Sequence, residues 1–475
     1  MNGCKRILPL FLSLTLWSCA SAPRLRSTPI VAPSAWVVAA DSASVEGDWL
    51  LAFDDSLAIE LVREALRNNQ SVQIAATNVA AAQAQATIAG ASQRPQVAAT
   101  GSGTRAKRSN IGFPSAGGPV PSTTSTAWTG TAAVTWELDL WGRLRASQSA
   151  ALGDLQAAQA DWRGAQLSLA AQTLRAYFAC VEARRQVGLA QSTVESYAIS
   201  NQQIQSRYEH GLRPTLDLLL SQASLSSAES SLYQRRLQLD GATRQLEILV
   251  GRYPAGELES AAQLPLLQGS IPAGLPADLI RRRPDLAAAE RRLAASDARV
   301  QESHRALYPR ISLTASGGRS SSALADLLDG DFSVWSLVGN ISQPLFQGGR
   351  LRAGVDLAEA GADRALLNYA QAALRAFAEV ESGLAAEGIL ADQELALTAA
   401  SRQSTDARLL AEQRYAKGLT DLLTLLTSQR SAFDAESRLI SVQRQRLDTR
   451  INLHLALGGA FAQDATSIGV TGDTP

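Results

Sequence analysis

The sequence is poor in the residues from which reactive sites are built. Of its 475 residues, three are cysteine, three are histidine and one is methionine, and aromatics make up only 5 %. Cys4, Cys19 and Cys180 are too few and too scattered for a disulfide framework or a metal cluster. His210, His304 and His454 each stand alone, without the partners a ligand or a catalytic imidazole needs, so surface or packing roles are expected. The 44 Lys and Arg cancel the 44 Asp and Glu, which removes any overall positive field that could hold nucleic acid. No nucleophile elbow, phosphate loop or metal spacing occurs, and Gly348-Gly349-Arg350 is too short for a nucleotide motif. An enzyme is therefore not expected, nor a cofactor, nor a bound metal.

Long apolar runs are scarce as well. One lies between Ile7 and Trp17, behind Lys5 and Arg6, and small residues follow it around Cys19. This is the pattern of a secretory signal. Leu16-Trp17-Ser18-Cys19 is similar to a bacterial lipobox, so residues 1–18 are expected to be a signal peptide and Cys19 the lipidated residue. Cleavage near Ala20 to Ala22 is the alternative. The Ser- and Pro-rich stretch that follows suits an extended tether over residues 19–48. No other segment has the 18 consecutive apolar residues of a membrane-spanning helix.

The chain is written twice. Displaced by 207 residues, it lays Trp128 on Trp335, Gly142-Arg143-Leu144-Arg145-Ala146 on Gly349-Arg350-Leu351-Arg352-Ala353, and Arg207-Tyr208 on Arg414-Tyr415. The same register sets Gly211 on Gly418 and Gly251 on Gly458. Upstream the displacement becomes 214, with Pro95 on Pro309 and Ser102-Gly103 on Ser316-Gly317, so a loop differs in length between the copies. Units of this size are a duplication rather than a solenoid array. A first repeat is expected over residues 49–253 and a second over 277–459. A proline-rich connector at 254–276 and a tail at 460–475 complete the division.

Within each copy, two short stretches alternate with a period of two. Trp128, Gly130, Ala132, Val134, Trp136, Leu138 and Leu140 oppose Thr129, Thr131, Thr135, Glu137 and Asp139, and Trp335 to Ser342 repeats the parity. Val97 to Gly103 and Ile311 to Ser316 read alike. Such alternation fits a soluble half-buried sheet as well as a barrel strand. The helices are the second constraint. No proline interrupts Pro121 to Pro214 or Pro344 to Pro475, and 68 residues from Gly142 to Glu209 as one helix would reach roughly 100 Å. On the return limbs Leu218, Leu225, Leu232, Leu239 and Leu246, and likewise Leu419, Leu426, Phe433, Ile440 and Leu447, recur every seven residues, the period of coiled-coil packing. Four strands cannot close a barrel and an open edge is not viable in lipid, so the chain must associate or lie outside the membrane.

These features together resemble the outer membrane factors, the TolC-like exit ducts, and in particular their NodT-type lipoprotein branch. The most specific segments are Leu275 to Leu286 (LPADLIRRRPDL), Arg207-Tyr208-Glu209-His210-Gly211 with its copy Arg414-Tyr415-Ala416-Lys417-Gly418, and Asp139-Leu140-Trp141-Gly142-Arg143. Asp48-Trp49 and Phe53-Asp54 match the family's opening. The resemblance implies a mostly α fold with a small β part: a homotrimer in which each chain gives four strands to a β-barrel and long coiled-coil helices to a periplasmic α-barrel. It implies a passive channel in the bacterial outer membrane, lipid-anchored and extending into the periplasm. Its implied partners are a periplasmic adaptor, an inner-membrane pump of RND type and outer-membrane lipid, with no nucleic acid. A lipid-tethered coiled-coil scaffold without a pore is the alternative.

The resemblance also assigns residues. The periplasmic gate and adaptor-docking tip are expected at Arg207, Tyr208, Gly211, Asp217, Arg414, Tyr415, Lys417, Gly418, Asp421, Thr424 and Thr427. Thr427 stands where the family carries a constricting carboxylate, which leaves Asp421 and Asp217 as the acids of the mouth. Trp128, Trp136, Trp141 and Trp335 are expected at the membrane interfaces, Trp128 and Trp335 at one common level, with a mobile extracellular loop between Lys107 and Thr126. Its counterpart, Arg319 to Asp331, is expected to cap the same end. Mass spectrometry of the mature N-terminus is expected to find an acylated Cys19; a free terminus at another residue would refute the lipobox reading.

Overall fold

Helix α1 (Ser56–Asn68) begins where Asp55 accepts a hydrogen bond from the Ala58 N–H, a side-chain N-cap. It buries Ala58, Leu61, Val62 and Ala65. Asn69 ends it. Asn69 adopts an extended backbone, accepts from the Ser71 N–H to start α2 (Gln70–Ala91), and donates from Nδ2 to the Leu249 carbonyl at 2.9 Å. Two strands follow, β1 (Gln96–Ser109) and β2 (Ser122–Leu138), then α3 (Arg143–Glu209) of 67 residues and α4 (Thr215–Val250) of 36.

The second copy repeats the order with α5 (Pro276–Arg282), α6 (Pro284–Arg305), β3 (Arg310–Ser321), β4 (Ser333–Ser342), α7 (Arg350–Ala416) and α8 (Leu422–Ala456). The computed structural model describes residues 33–37, 49–109, 122–267, 274 and 276–459. The expected signal peptide, Cys19, most of the tether, the middle of the first strand-to-strand loop and the tail lie outside them. Of the tether, Trp36 donates to the Gly274 carbonyl and meets Phe377 edge-on at 6.3 Å.

Break and capping recur in the second copy with different chemistry. Pro284 pushes the residue before it into extended backbone, so the helix stops at Arg282 and restarts beyond Arg283. Arg283 is 8 % exposed. Its guanidinium binds Asp285 at 2.9 and 3.0 Å, Glu379 of α7 at 2.6 Å and the Ala456 carbonyl at 3.0 Å. Leu249 and Ala456 are copies of one another, as are Asn69 and Arg283. In each copy, therefore, the break in the first helix supplies the side chain that satisfies an end carbonyl of the return helix. Gly251 and Gly458 close the same joints in left-handed conformation; a Cβ on Gly458 would come within 2.9 Å of the Arg282 carbonyl group.

The four strands form one antiparallel sheet in the order β1-β2-β3-β4. The register places Val97, Val134, Ala315 and Leu337 in one row, and Ala99, Ala132, Gly317 and Trp335 in the next, all on one face. The other face carries Thr and Ser, whose hydroxyls pair across strands: Thr100 with Thr131 at 3.0 Å, Thr129 with Ser320 at 3.2 Å and Ser316 with Ser336 at 2.8 Å. The strands exceed the expected stretch. Lys107 to Ser109 and Ser122 to Thr126, expected as loop, pair in continuous register, helped by β-branched Thr123, Thr124 and Thr126. The Arg319 to Asp331 segment likewise begins as strand and continues as short 3-10 turns at Leu324–Leu328 and Gly330–Phe332.

Where strand meets helix, the Asp139 carboxylate accepts from the Leu144 and Arg145 N–H groups at 3.0 and 2.9 Å and so caps α3. Its copy is Phe346, and α7 starts without a side-chain cap. Below the sheet the long helices pack side by side in the order α4, α3, α8, α7. Of the leucine stripe, Leu246, Ile440 and Leu447 are fully buried, and Leu218, Leu225, Leu232, Leu239, Leu426 and Phe433 are half-buried. Leu419, expected as its first member in the second copy, lies in the turn instead and is 68 % exposed.

The main core sits where the C-terminal ends of α4 and α8 meet the middle of α3: Trp49, Leu50 and Phe53 pack there with Tyr177, Phe178, Leu246 and Ile451. Glu247 is buried there. Burial alone would raise its pKa, but three N–H donors, from Gly256, Glu257 and Leu258, outweigh it and hold the carboxyl below its ordinary range, pinning the connector to α4. Cys180 is buried, and burial pushes its thiol up to about 11, which suits packing and not reactivity.

His454 is 6 % exposed and lies against Trp49 (5.6 Å) and Phe53 (6.0 Å). Burial, with Arg450 nearby, lowers its pKa to about 4. Below pH 6.5 the unfolded chain takes up this proton before the folded chain does, so the fold loses stability as pH falls from about 6.5 towards 4. Replacing His454 by Phe is expected to flatten that part of the acid-unfolding profile; an unchanged profile would show that the imidazole is not the group responsible.

Candidate periplasmic tip and strand-rim aromatics

At the ends of the long helices farthest from the sheet, each α-helical pair reverses through a copied turn. Gly211 and Gly418 both take left-handed conformations, with N–H groups bonded to the Tyr208 and Tyr415 carbonyls at 2.8 and 3.0 Å. The Leu212 and Leu419 N–H groups reach the Arg207 and Arg414 carbonyls at 2.8 Å. These are paired C-terminal caps that satisfy carbonyls the helices leave open.

The side chains break the symmetry. Arg207, at the end of α3, donates to the Tyr415 and Ala416 carbonyls of α7 at 3.1 and 2.7 Å. It therefore caps the neighbouring helix, and a charged donor is among the stronger hydrogen-bonding groups. Its guanidinium also lies 5.1 Å from the centre of the Tyr415 ring, and that of Arg213 lies 5.3 Å away. Tyr415 is fully buried, whereas its copy Tyr208 is 38 % exposed. Arg414, the copy of Arg207, is exposed, and the in-chain grip belongs to Arg207. The Arg213 copy is Thr420, so the second half of the cluster has no counterpart.

Among the expected acids, Asp217 lies 3.7 Å from Arg213. Asp421 is exposed and caps α8 by accepting from the Thr424 N–H at 2.7 Å. The Thr424 hydroxyl and N–H hold its carboxyl below the usual range, so it is ionised at neutral pH. Lys417, Thr424 and Thr427 are exposed on the same end. Above the turn, α3 and α8 meet through polar groups: buried Gln429 donates to Ser196 (2.9 Å), Ser200 (3.0 Å) and Glu412 (3.2 Å), beside a cavity of about 260 Å³.

One feature of the tip escaped the sequence reading. Leu212 and Leu216 are 71 % and 63 % exposed, and their copies Leu419 and Leu423 are 68 % and 72 % exposed. Two copied pairs of leucines thus stand in the open at the turn. Their spacing of four residues was legible, but it reads equally as buried helix face.

The aromatics divide between the two ends of the sheet. Trp136 donates to the Gln93 carbonyl at 3.0 Å, and Trp141 donates to the Pro309 carbonyl at 2.8 Å while stacking on Tyr308 at 5.5 Å. Both sit where strands give way to helices. Trp128 pairs with Gly103 and Ser321, whereas Trp335 pairs with Gly317, four residues along β3. The two copied tryptophans therefore stand four residues apart in the pairing register, because β2 runs on to Ser122 beyond Trp128 whereas β4 begins only two residues before Trp335. The Trp128 ring lies across Gly103, where a Cβ would stand 2.3 Å from it.

Two breaks, one four-stranded sheet with an apolar face, and helices of 67 residues ending in capped turns define the class of the outer-membrane factor fold. The chain belongs to the outer membrane efflux protein family, whose pattern it matches over residues 61–252 and 275–459. It is 33 % identical to the outer membrane protein OprJ of Pseudomonas aeruginosa over 95 % of each chain. It is 31 % identical to the solvent efflux pump outer membrane protein SrpC of Pseudomonas putida, over 96 % of this chain and 98 % of that one. In structure it resembles the open state of the MtrE outer membrane channel of Neisseria gonorrhoeae, with a TM-score of 0.80, 28 % identity and coverage of 93 % and 98 %. The chain is thus an outer-membrane efflux protein and not an enzyme.

Proposed function

We propose that three copies of the chain form a passive exit duct: their sheets close a twelve-stranded barrel in the outer membrane, and their helices form a tube reaching into the periplasm. The observation that carries this reading is the four-stranded sheet itself, with an apolar face, a hydroxyl-lined face and two edges that one chain leaves unpaired. No described helix is long and apolar enough to cross a membrane, so spanning falls to the strands. Cys19 anchors each chain through lipid, with the tether leading to Trp36.

The tip is the periplasmic mouth. There Arg207, Tyr208, Gly211, Asp217, Arg414, Tyr415, Lys417, Gly418, Asp421, Thr424 and Thr427 form the gate and the surface that receives an adaptor. The exposed pairs Leu212/Leu216 and Leu419/Leu423 give the adaptor six similar apolar contacts around a trimer. The adaptor in turn couples the duct to an inner-membrane pump of RND type. The names of the relatives, a solvent efflux pump protein among them, fit a duct whose cargo is set by its pump. Three ionised Asp421 carboxylates around a narrow axis concentrate negative potential and favour cations. The Arg207 cap keeps the α7 end against α3, and the polar α3–α8 seam is the one across which the mouth widens.

Planar-bilayer recording tests all of this. The purified protein is expected to form cation-selective pores. Asp421→Asn is expected to lower the cation/anion permeability ratio, and Arg207→Ala to raise open probability roughly tenfold, the equivalent of one charged hydrogen bond. Absence of pores would leave only a tethered scaffold. Pores insensitive to both substitutions would place the gate elsewhere.

A further inference from the structure

The apolar face of the sheet ends abruptly in positive charge. From the row of Leu138, Ile311 and Ile341 to the row of Trp128 and Gly103, it carries no ionisable side chain except Arg319. The ten residue steps from Leu138 to Trp128 span ~33 Å along the strand, or ~25 Å normal to a membrane at a strand tilt of ~40°, the height of a barrel's apolar band. The next two positions of β1 on this face are Arg105 and Lys107, paired with Thr126 and Thr124. They stand ~5 and ~10 Å beyond the band by the same arithmetic, which is the depth of the headgroup layer. Both are exposed.

Nothing on this hairpin neutralises them. Residues 96–136 contain Arg105, Lys107 and Arg108 and no acidic residue at all, in a chain whose charges balance as a whole. Among the described residues no carboxylate pairs with Arg105 or Lys107. The other hairpin differs: Arg319 turns its guanidinium to the Leu327 carbonyl at 3.0 Å, and Asp326, Asp329 and Asp331 occupy the turn beyond. The Trp128 indole, laid across Gly103, fills the face directly below Arg105. An amphipathic ring followed outward by two unpaired cations is the arrangement that a phosphorylated lipid fits, acyl chains on the band and phosphate on the cations.

We infer that Arg105 and Lys107 form an outer-rim site for the phosphate groups of an outer-leaflet glycolipid, at the first hairpin of each chain and not at the second. The inference rests on the barrel reading above. It assigns a bound lipid and its chemistry to residues outside the mouth and the docking tip. Arg108, on the opposite face of β1, takes no part.

The test uses the whole protein in nanodiscs of phosphatidylcholine doped with diphosphorylated lipid A or with its dephosphorylated form. Lipid retained per trimer after detergent extraction is counted by native mass spectrometry. The wild type is expected to retain the diphosphorylated lipid roughly tenfold better than the dephosphorylated one, and Arg105→Gln with Lys107→Gln to abolish that preference. Arg105→Lys with Lys107→Arg should keep most of it, and Arg108→Gln should keep all. Equal retention by the wild type and the double glutamine variant would overturn the site. So would complete displacement of the lipid by millimolar pyrophosphate, which would make it a site for a free anion. Conductance of the same preparations separates the two levels: a double variant that conducts normally yet loses the lipid supports the proposal, and a wild type that forms no pores defeats the barrel reading and the site together.

Discussion

The constraint on which the rest depends is the edge of the sheet. In one chain, β1 and β4 each present a row of backbone N–H and C=O groups without partners. Water would satisfy them, but hydrocarbon cannot, and an open edge in a bilayer costs several kcal/mol per group. A sheet with an apolar face therefore has either to leave the membrane or to meet another edge. Closure by copies of the same chain is the solution that needs no second protein. It also explains the division of labour between the faces: the apolar face meets lipid, and the threonine and serine hydroxyls that pair across strands line the interior.

Duplication solves the companion problem in the helices. A helix of 67 residues is far too long to be stabilised by its own propensity and must pack along its whole length. Writing the unit twice gives each chain two such helices and two return limbs, which cover one another in a single layer. The copies keep geometry more faithfully than chemistry. Asn69 and Arg283 perform one task, satisfying the last carbonyls of a return helix, with an amide in one copy and a buried guanidinium in the other. At the tip the copies diverge further. Arg207 reaches across to α7, while its copy Arg414 is exposed in the single chain.

Much of this was legible in the sequence because it is periodic. The duplicated register, the alternation from Trp128 to Leu138 and the proline-free lengths each state a geometry that tertiary contacts need not decide. What stayed hidden depends on partners far away in sequence. Nothing local to Asn69 announces that its amide will meet Leu249, 180 residues on. Nothing in the motif around Arg283 shows that the guanidinium is buried against Glu379. The exposed leucines of the tip look like core by their spacing, and the offset between Trp128 and Trp335 follows from pairing register, which a comparison of copies cannot supply. The turns at Gly211 and Gly418 were legible as turns, but which arginine would cap which helix was not.

If the edges close on copies of the chain, β1 of one protomer must lie beside β4 of the next. Cysteines introduced in turn over Val97 to Gly103, each combined with one over Trp335 to Ile341, in a background with Cys180 replaced by Ser, measure this directly. The account predicts that oxidation at one continuous register gives covalent dimers and trimers on denaturing gels, because each bridge joins two chains. Bridges formed only within single chains, or none at any register, would contradict it.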